Sequence, residues 1–202
     1  MNEDNRQTAA LPGADADQAT PGSDSLVQTP SKSTRYGDEI IHEIEKIFPD
    51  AECELHHESP FQLLVAVVLS AQTTDAAVNK VTPTLFAAYP NADAMSRAEP
   101  ADLEPYIQTI GLYRTKAKNI AALARELEDK YQGQVPSNRK QLEALPGVGR
   151  KTANVVRSVA FDIPSFAVDT HVDRISKRLG LARPQDSVEK VEEKLKRKIS
   201  RD

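Results

Sequence analysis

The chain has 202 residues, of which 39% are apolar and one is cysteine, and its formal net charge is −4. That length allows one large or two small domains with a sizeable core, and 13 prolines with 8 glycines exclude a fibrous or low-complexity protein. Cys53 alone excludes an intramolecular disulfide and any cysteine-built metal site within this chain, and fits a reducing, intracellular setting. No apolar run approaches the roughly 18 residues of a membrane span, and the opening stretch has neither a hydrophobic signal core nor the basic bias of a transit peptide. A soluble, unprocessed, cytoplasmic protein is expected.

Residues 1–35 are rich in Ala, Asp, Ser, Thr, Gln, Pro and Gly and have almost nothing to bury, which predicts a disordered tail. Asp38–Phe48 then places Ile40, Ile41, Ile44 and Ile47 at helical spacing, with Pro49 beyond its end. Ser59-Pro60 caps and opens a strongly apolar segment, Phe61–Ser70. Its VAVVL run also suits a buried strand, but no hairpin or second strand accompanies it, so a central helix is expected. Further helices are predicted at Thr74–Tyr89, kinked or split by Pro83, and at Asp102–Gln108, Thr115–Tyr131, Asn138–Leu145, Arg150–Ala160, Asp169–Leu179 and Ser187–Ile199. Nothing reads as a sheet. The expected body is all-α, with an N-terminal helical segment (36–58) belonging to a second, incomplete helical domain, a main helical domain (59–170) and a start of C-terminal helices (171–202).

Charge is unevenly spread. From Arg139 onward there are 15 Lys/Arg against 9 Asp/Glu, while the preceding 138 residues hold 11 against 21. Such asymmetry suits a polyanion-binding face, and equally a solvated helix surface.

The strongest local signal is Leu145-Pro146-Gly147-Val148-Gly149-Arg150-Lys151-Thr152-Ala153. A helix ends, a turn with glycines two apart follows, and a second helix begins. Glycine permits positive φ and close backbone approach, and the free N–H groups at the start of the second helix favour an anion. With Arg150 and Lys151 beside them, a DNA phosphate is the natural guest, although Gly-containing turns also join helices with no ligand. Gly111-Leu112-Tyr113-Arg114 with Ala117 and Ile120 echoes Gly147-Val148-Gly149-Arg150 with Ala153 and Val156, 36 positions later. A second phosphate-facing turn or a chance similarity of two helix starts both account for it.

LPGVGRKTANVV followed by AVDTHVDRI resembles the helix-hairpin-helix and catalytic-aspartate signature of the endonuclease III family of DNA glycosylases, and LLVAVVLSAQTTD and TIGLYRTKAKNI resemble that family's central helix and first turn, in the same order. The resemblance runs from about Asp38 to the C-terminus. It implies the helix-hairpin-helix glycosylase fold and a base-excision enzyme that flips out and removes oxidised pyrimidines, then nicks the abasic site by β-elimination. Lys151 matches the lysine that attacks C1′, and Asp169 the aspartate that supports the attack. Gln72 matches a residue that fills the gap left by the damaged base, and Leu112 a wedge beside the orphaned base. Gly147 and Gly149 match the phosphate-binding hairpin, with Arg150 alongside, and His171 matches a histidine that orients or contacts phosphate rather than binding metal. The implied partner is double-stranded DNA with an oxidised pyrimidine or abasic lesion, met by a monomer in the cytoplasm and nucleoid.

Physical chemistry is compatible with these roles. An amine nucleophile must lose its proton, and a helix N-terminus and burial under DNA both disfavour an ammonium. Plainer roles stay open: phosphate binding for Lys151, a helix cap for Asp169 or Thr170, a polar helix end for Gln72, a turn hydrophobe for Leu112. Lysine at position 151 argues against a monofunctional adenine-mismatch or alkylbase glycosylase, which uses water, and Asp169 is surplus to a non-catalytic DNA-binding module.

The sequence departs from the family at its end. Four cysteines that hold a [4Fe-4S] cluster in most relatives have no counterpart, so no cofactor is expected within this chain. A shortened chain, with the cluster region missing, is expected rather than a naturally cluster-free one, because Ser187–Ile199 is amphipathic with no later element to cover it.

Overall fold

The computed structural model describes residues 32–200; the tail expected over residues 1–35 lies outside them as far as residue 31. Among the described residues the secondary structure is helical, in the order α1 (Lys32–Ile47), α2 (Pro60–Leu69), α3 (Asp75–Ala88), α4 (Ala92–Ser96), α5 (Pro100–Ile107), α6 (Tyr113–Tyr131), α7 (Arg139–Glu143), α8 (Arg150–Phe161), α9 (Thr170–Arg178) and α10 (Val188–Lys198). The helix-hairpin-helix reading of the sequence therefore holds, and the ambiguous VAVVL run is helical. Ser59 caps α2 by accepting from the Gln62 amide at 3.2 Å, and Pro60 occupies the first turn, where its missing N–H costs nothing.

Every residue of α2 from Phe61 to Leu69 is buried. A helix apolar on all sides must be surrounded, and α2 is the centre of the larger core, with α3, α6 and α8 packed against it. Leu63, Leu64, Leu69, Leu85, Leu103, Ile120, Leu123 and Leu127 are among its fully buried side chains. A smaller core forms elsewhere from Val168, Leu181, Ala182, Val191 and Leu195, with Ile40, Phe166, Val172, Leu179 and Ile199 against them. The first described helix thus packs with the last.

Four features depart from the sequence reading. Among the described residues helix α1 is already formed ahead of the apolar repeat, from Lys32 on, and tertiary contacts hold this stretch: Tyr36 Oη donates to Leu179 O at 2.9 Å, and Asp38 receives both the Ser200 amide and hydroxyl at 2.7 Å. A Cβ on Gly37 would lie 1.9 Å from Lys198 O, so only glycine lets α1 approach α10 this closely. Helix α1 also packs against α10, whose Val191 and Leu195 are buried, so the face expected to have no later element over it is covered in part by an earlier one, while Ile47 and Phe48, at and just past the end of α1, are exposed. Finally, α3 runs through Pro83 without being split, and α4, five residues capped by Asn91, carries too little apolar pattern to be read from sequence.

Candidate active site

Lys151 stands in the first turn of α8 and Asp169 is the N-cap of α9, so each is placed by a helix start. The elements that carry them pack in different cores, α8 through Ala153 and Val156 in the larger and the α9 segment through Val168 and Val172 in the smaller, and the two side chains meet: Lys151 Nζ donates to Asp169 Oδ2 at 3.2 Å. The other carboxylate oxygen, Oδ1, accepts from the His171 and Val172 amides at 2.9 and 3.0 Å. Burial alone would raise the Asp169 pKa, but the Val172 amide, the Lys151 ammonium and the His171 amide outweigh it and hold the carboxyl below its ordinary value. Asp169 is therefore both a cap and an ionised partner of an amine that is itself half exposed and open to a substrate.

The segment carrying Asp169 is pinned to α8 by side chains that the sequence reading passed over. Asn154, one turn beyond Lys151 and 1% exposed, donates from Nδ2 to Phe166 O at 2.9 Å. Arg157 donates to Ser165 Oγ at 3.2 Å, and to Ser137 O at the same distance. These bonds set how far Asp169 stands from the amine.

The hairpin glycines differ in what they do. Gly147 has φ +76°, and a Cβ there would lie 3.1 Å from Asn119 of α6 and 3.2 Å from Val68 of α2. Gly149 is the N-cap of α8 in extended conformation, with open space around it and no side chain capping the helix. Its missing Cβ leaves the first-turn amides of α8 uncovered, the arrangement that receives an anion. Arg150 is more engaged than its position suggested. Its Nε lies 2.6 Å from Oε2 of Glu192, a carboxylate only 2% exposed on α10 that also pairs with Lys196 and, at 3.4 Å, with Arg139. This cluster ties the hairpin to the smaller core.

Gln72 and Leu112 occupy turns near the same end of the molecule. Gln72 follows the C-terminus of α2, where Val68 meets the hairpin, and Leu112 is the N-cap of α6, two turns before Asn119. Both lie in the left-handed region, at φ 54° and 58°, and Leu112 is 60% exposed. A bulky residue held there is strained. The echo between the two turns holds for the core positions, since Ala117, Ala153, Ile120 and Val156 are all buried. It fails at the turn itself, where positive φ falls on Leu112 in one case and Gly147 in the other. His171 lies exposed, with Nδ1 3.3 Å from an Arg174 guanidinium nitrogen.

Glu192, which the sequence reading passed over, and Lys116, read there with the echoed turn as a phosphate contact, are both buried; each had a signal, since Glu192 falls on the apolar stripe of Val188, Val191 and Leu195, and Lys116 on that of Tyr113, Ala117 and Ile120. A charge on such a stripe must find a partner. The iron–sulfur cluster that the family resemblance carries needs four thiolates. Cys53 is the chain's one cysteine, and among the described residues no group of three or more His, Cys, Asp or Glu could hold a metal ion. The residues of this chain do not fit that group.

Residues 65–201 match the family model described as HhH-GPD superfamily base excision DNA repair protein. Endonuclease III of Bacillus subtilis (strain 168) is 54% identical over 162 residues, 80% of this chain and 74% of that protein, and endonuclease III of Escherichia coli (strain K12) is 48% identical over 157 residues, 78% and 74%. A solved structure described as a trapped endonuclease III–DNA covalent intermediate superposes with a TM-score of 0.76 at 56% identity, covering 80% of this chain and 76% of that one. The chain belongs to the HhH-GPD superfamily of base-excision DNA repair proteins.

Proposed function

We infer that the chain is a bifunctional DNA glycosylase and abasic-site lyase of the endonuclease III type. The observation that carries this is the 3.2 Å pairing of an accessible lysine amine with an aspartate held ionised, in a chain 54% identical to an endonuclease III. The covalent complex with DNA formed by a relative of similar fold supports it.

In this reading Lys151 gives up a proton and its amine attacks C1′ of the flipped nucleotide. The C1′–N bond to the base breaks, and the base leaves with its electron pair. Asp169 opposes the positive charge that develops on the sugar and is placed to take up the lysine proton. Ring opening gives a Schiff base, which acidifies the 2′ hydrogen; its removal expels the 3′ phosphate and nicks the strand. Water then releases the enzyme from the unsaturated sugar.

Oxidised pyrimidines are the proposed substrates, and duplex DNA carrying them or an abasic site the proposed partner, met by a monomer in the cytoplasm. Among the described residues no helix is long and apolar enough to cross a membrane. The Gly147–Gly149 turn and the start of α8 receive the DNA backbone, with His171 and Arg174 beside Asp169, while Gln72 and Leu112 enter the duplex from their turns. Incision of duplexes bearing thymine glycol, an abasic site or no lesion tests this. Cleavage of the first two, leaving a 3′ unsaturated aldehyde, is expected; release of thymine glycol without strand cleavage would point to a monofunctional enzyme.

A further inference from the structure

Lys116 presents a problem in energetics. It is 3% exposed, and its ammonium donates to Thr73 Oγ1 at 2.6 Å, a neutral hydroxyl that is its one side-chain partner among the described residues. Burial pushes its pKa down, which marks the charge as poorly compensated. Methionine or leucine would pack the same stem into this position without the desolvation cost. Burial also leaves the ammonium unavailable as a surface phosphate contact, the role suggested by its place beside the echoed turn.

What the bond joins gives the residue a purpose. Thr73 follows Gln72 directly, in a turn closed by the Thr73 amide donating to Ser70 O at 3.0 Å. Lys116 lies one turn beyond Leu112, and its own amide donates to Leu112 O at 3.0 Å. The bond therefore spans 43 positions of sequence and links two neighbouring turns, each presenting one residue in the left-handed region. Strained, exposed turns have no internal reason to keep a fixed spacing, whereas a short charge-assisted bond between their roots imposes one.

We propose that Lys116 is a positioning residue for lesion recognition, whose bond to Thr73 holds the Gln72 and Leu112 turns at one spacing so that both enter the duplex together. This rests on the duplex-entering role given to Gln72 and Leu112 above.

The test compares affinities for a duplex carrying a tetrahydrofuran abasic analogue and for the intact duplex, at several salt concentrations. Thr73→Val removes the accepting hydroxyl and keeps the shape, so it carries the test even if Lys116→Met fails to fold. A fall in the lesion-to-intact affinity ratio on the order of ten-fold is expected, the scale of one lost hydrogen bond to a charged group. Intact-duplex affinity and its salt slope should stay as in the wild type, and Thr73→Ser should restore the ratio. Parallel loss of both affinities, or a shallower salt slope in Lys116→Met, overturns the proposal in favour of a structural or phosphate-binding role. An unchanged ratio in Thr73→Val beside a lowered one in Leu112→Ala overturns the spacing role alone. Unchanged ratios in Thr73→Val, Gln72→Ala and Leu112→Ala together overturn the duplex-entering reading, and the spacing role with it.

Discussion

Asp169 divides its two carboxylate oxygens between two tasks: Oδ1 caps α9 through the His171 and Val172 amides, while Oδ2 faces Lys151 Nζ at 3.2 Å. The cap fixes the rotamer, and the rotamer presents the free oxygen to the amine. Because Asn caps a helix as well as Asp, the two tasks can be separated. Asp169→Asn should keep the fold and bind DNA within about two-fold of wild type while lowering base excision by roughly 100- to 1,000-fold, the scale of losing one transition-state electrostatic contact. Asp169→Ala should in addition lose about 1 kcal/mol of stability. Thermal melts and single-turnover excision check both; equal loss of binding and turnover in Asp169→Asn would leave Asp169 as a cap only.

Asn154 gives a second separation. Asn154→Ala removes the bond to Phe166 O that holds the Asp169 segment against α8, while leaving Lys151 and Asp169 themselves intact. Excision should fall by about ten-fold or more, since small misplacements of catalytic groups are costly, and DNA affinity should hold. Excision kinetics at saturating enzyme measure this directly.

The Glu192 cluster predicts a pH dependence. Burial works to raise the Glu192 pKa, but the bonds from Arg150 and Lys196 prevail and hold it below the ordinary carboxylate value. A depressed folded-state value means that the stabilisation is present above the ordinary glutamate value, neutral pH included, and is lost as pH falls through the depressed one. Glu192→Gln should cost about 2 kcal/mol at pH 7, less than a wholly buried pair because the cations left behind rehydrate. The gap between variant and wild type should close on acidification. Denaturant titrations at pH 7 and pH 3.5 read it; a gap that stays constant would remove the charge from the explanation. Arg150→Ala should lower stability as well as DNA affinity, because the same guanidinium anchors α10.

Leu112 offers the clearest conflict between stability and function. Leu112→Ala should reduce the preference for a lesion by about 1–3 kcal/mol, the scale of one stacking contact, with little change for intact duplex. Leu112→Gly should lose the same preference without loss of stability, since glycine adopts φ 58° freely. Equal weakening on lesion and intact DNA would make Leu112 a packing residue.

Much of this arrangement is legible in the sequence because it is local. The caps at Ser59 and Asp169, the glycines of the hairpin and the all-round apolar α2 each follow from a few adjacent residues. What the sequence hides is long-range. Nothing near Arg150 announces Glu192, 42 positions away, and nothing near Gln72 announces Lys116. Likewise the close approach of α1 to α10 depends on Gly37 meeting Lys198, a contact that no periodicity encodes.

The central claim is that the Lys151 amine forms the bond to DNA. Borohydride reduction during reaction with a duplex containing an abasic site tests it by trapping the Schiff base. The wild-type chain should yield a covalent protein–DNA species whose DNA-bearing peptide contains Lys151, and Lys151→Ala should yield none while still binding the same duplex. Trapping of Lys151→Ala at the wild-type rate, or attachment mapped to another residue, would contradict the account.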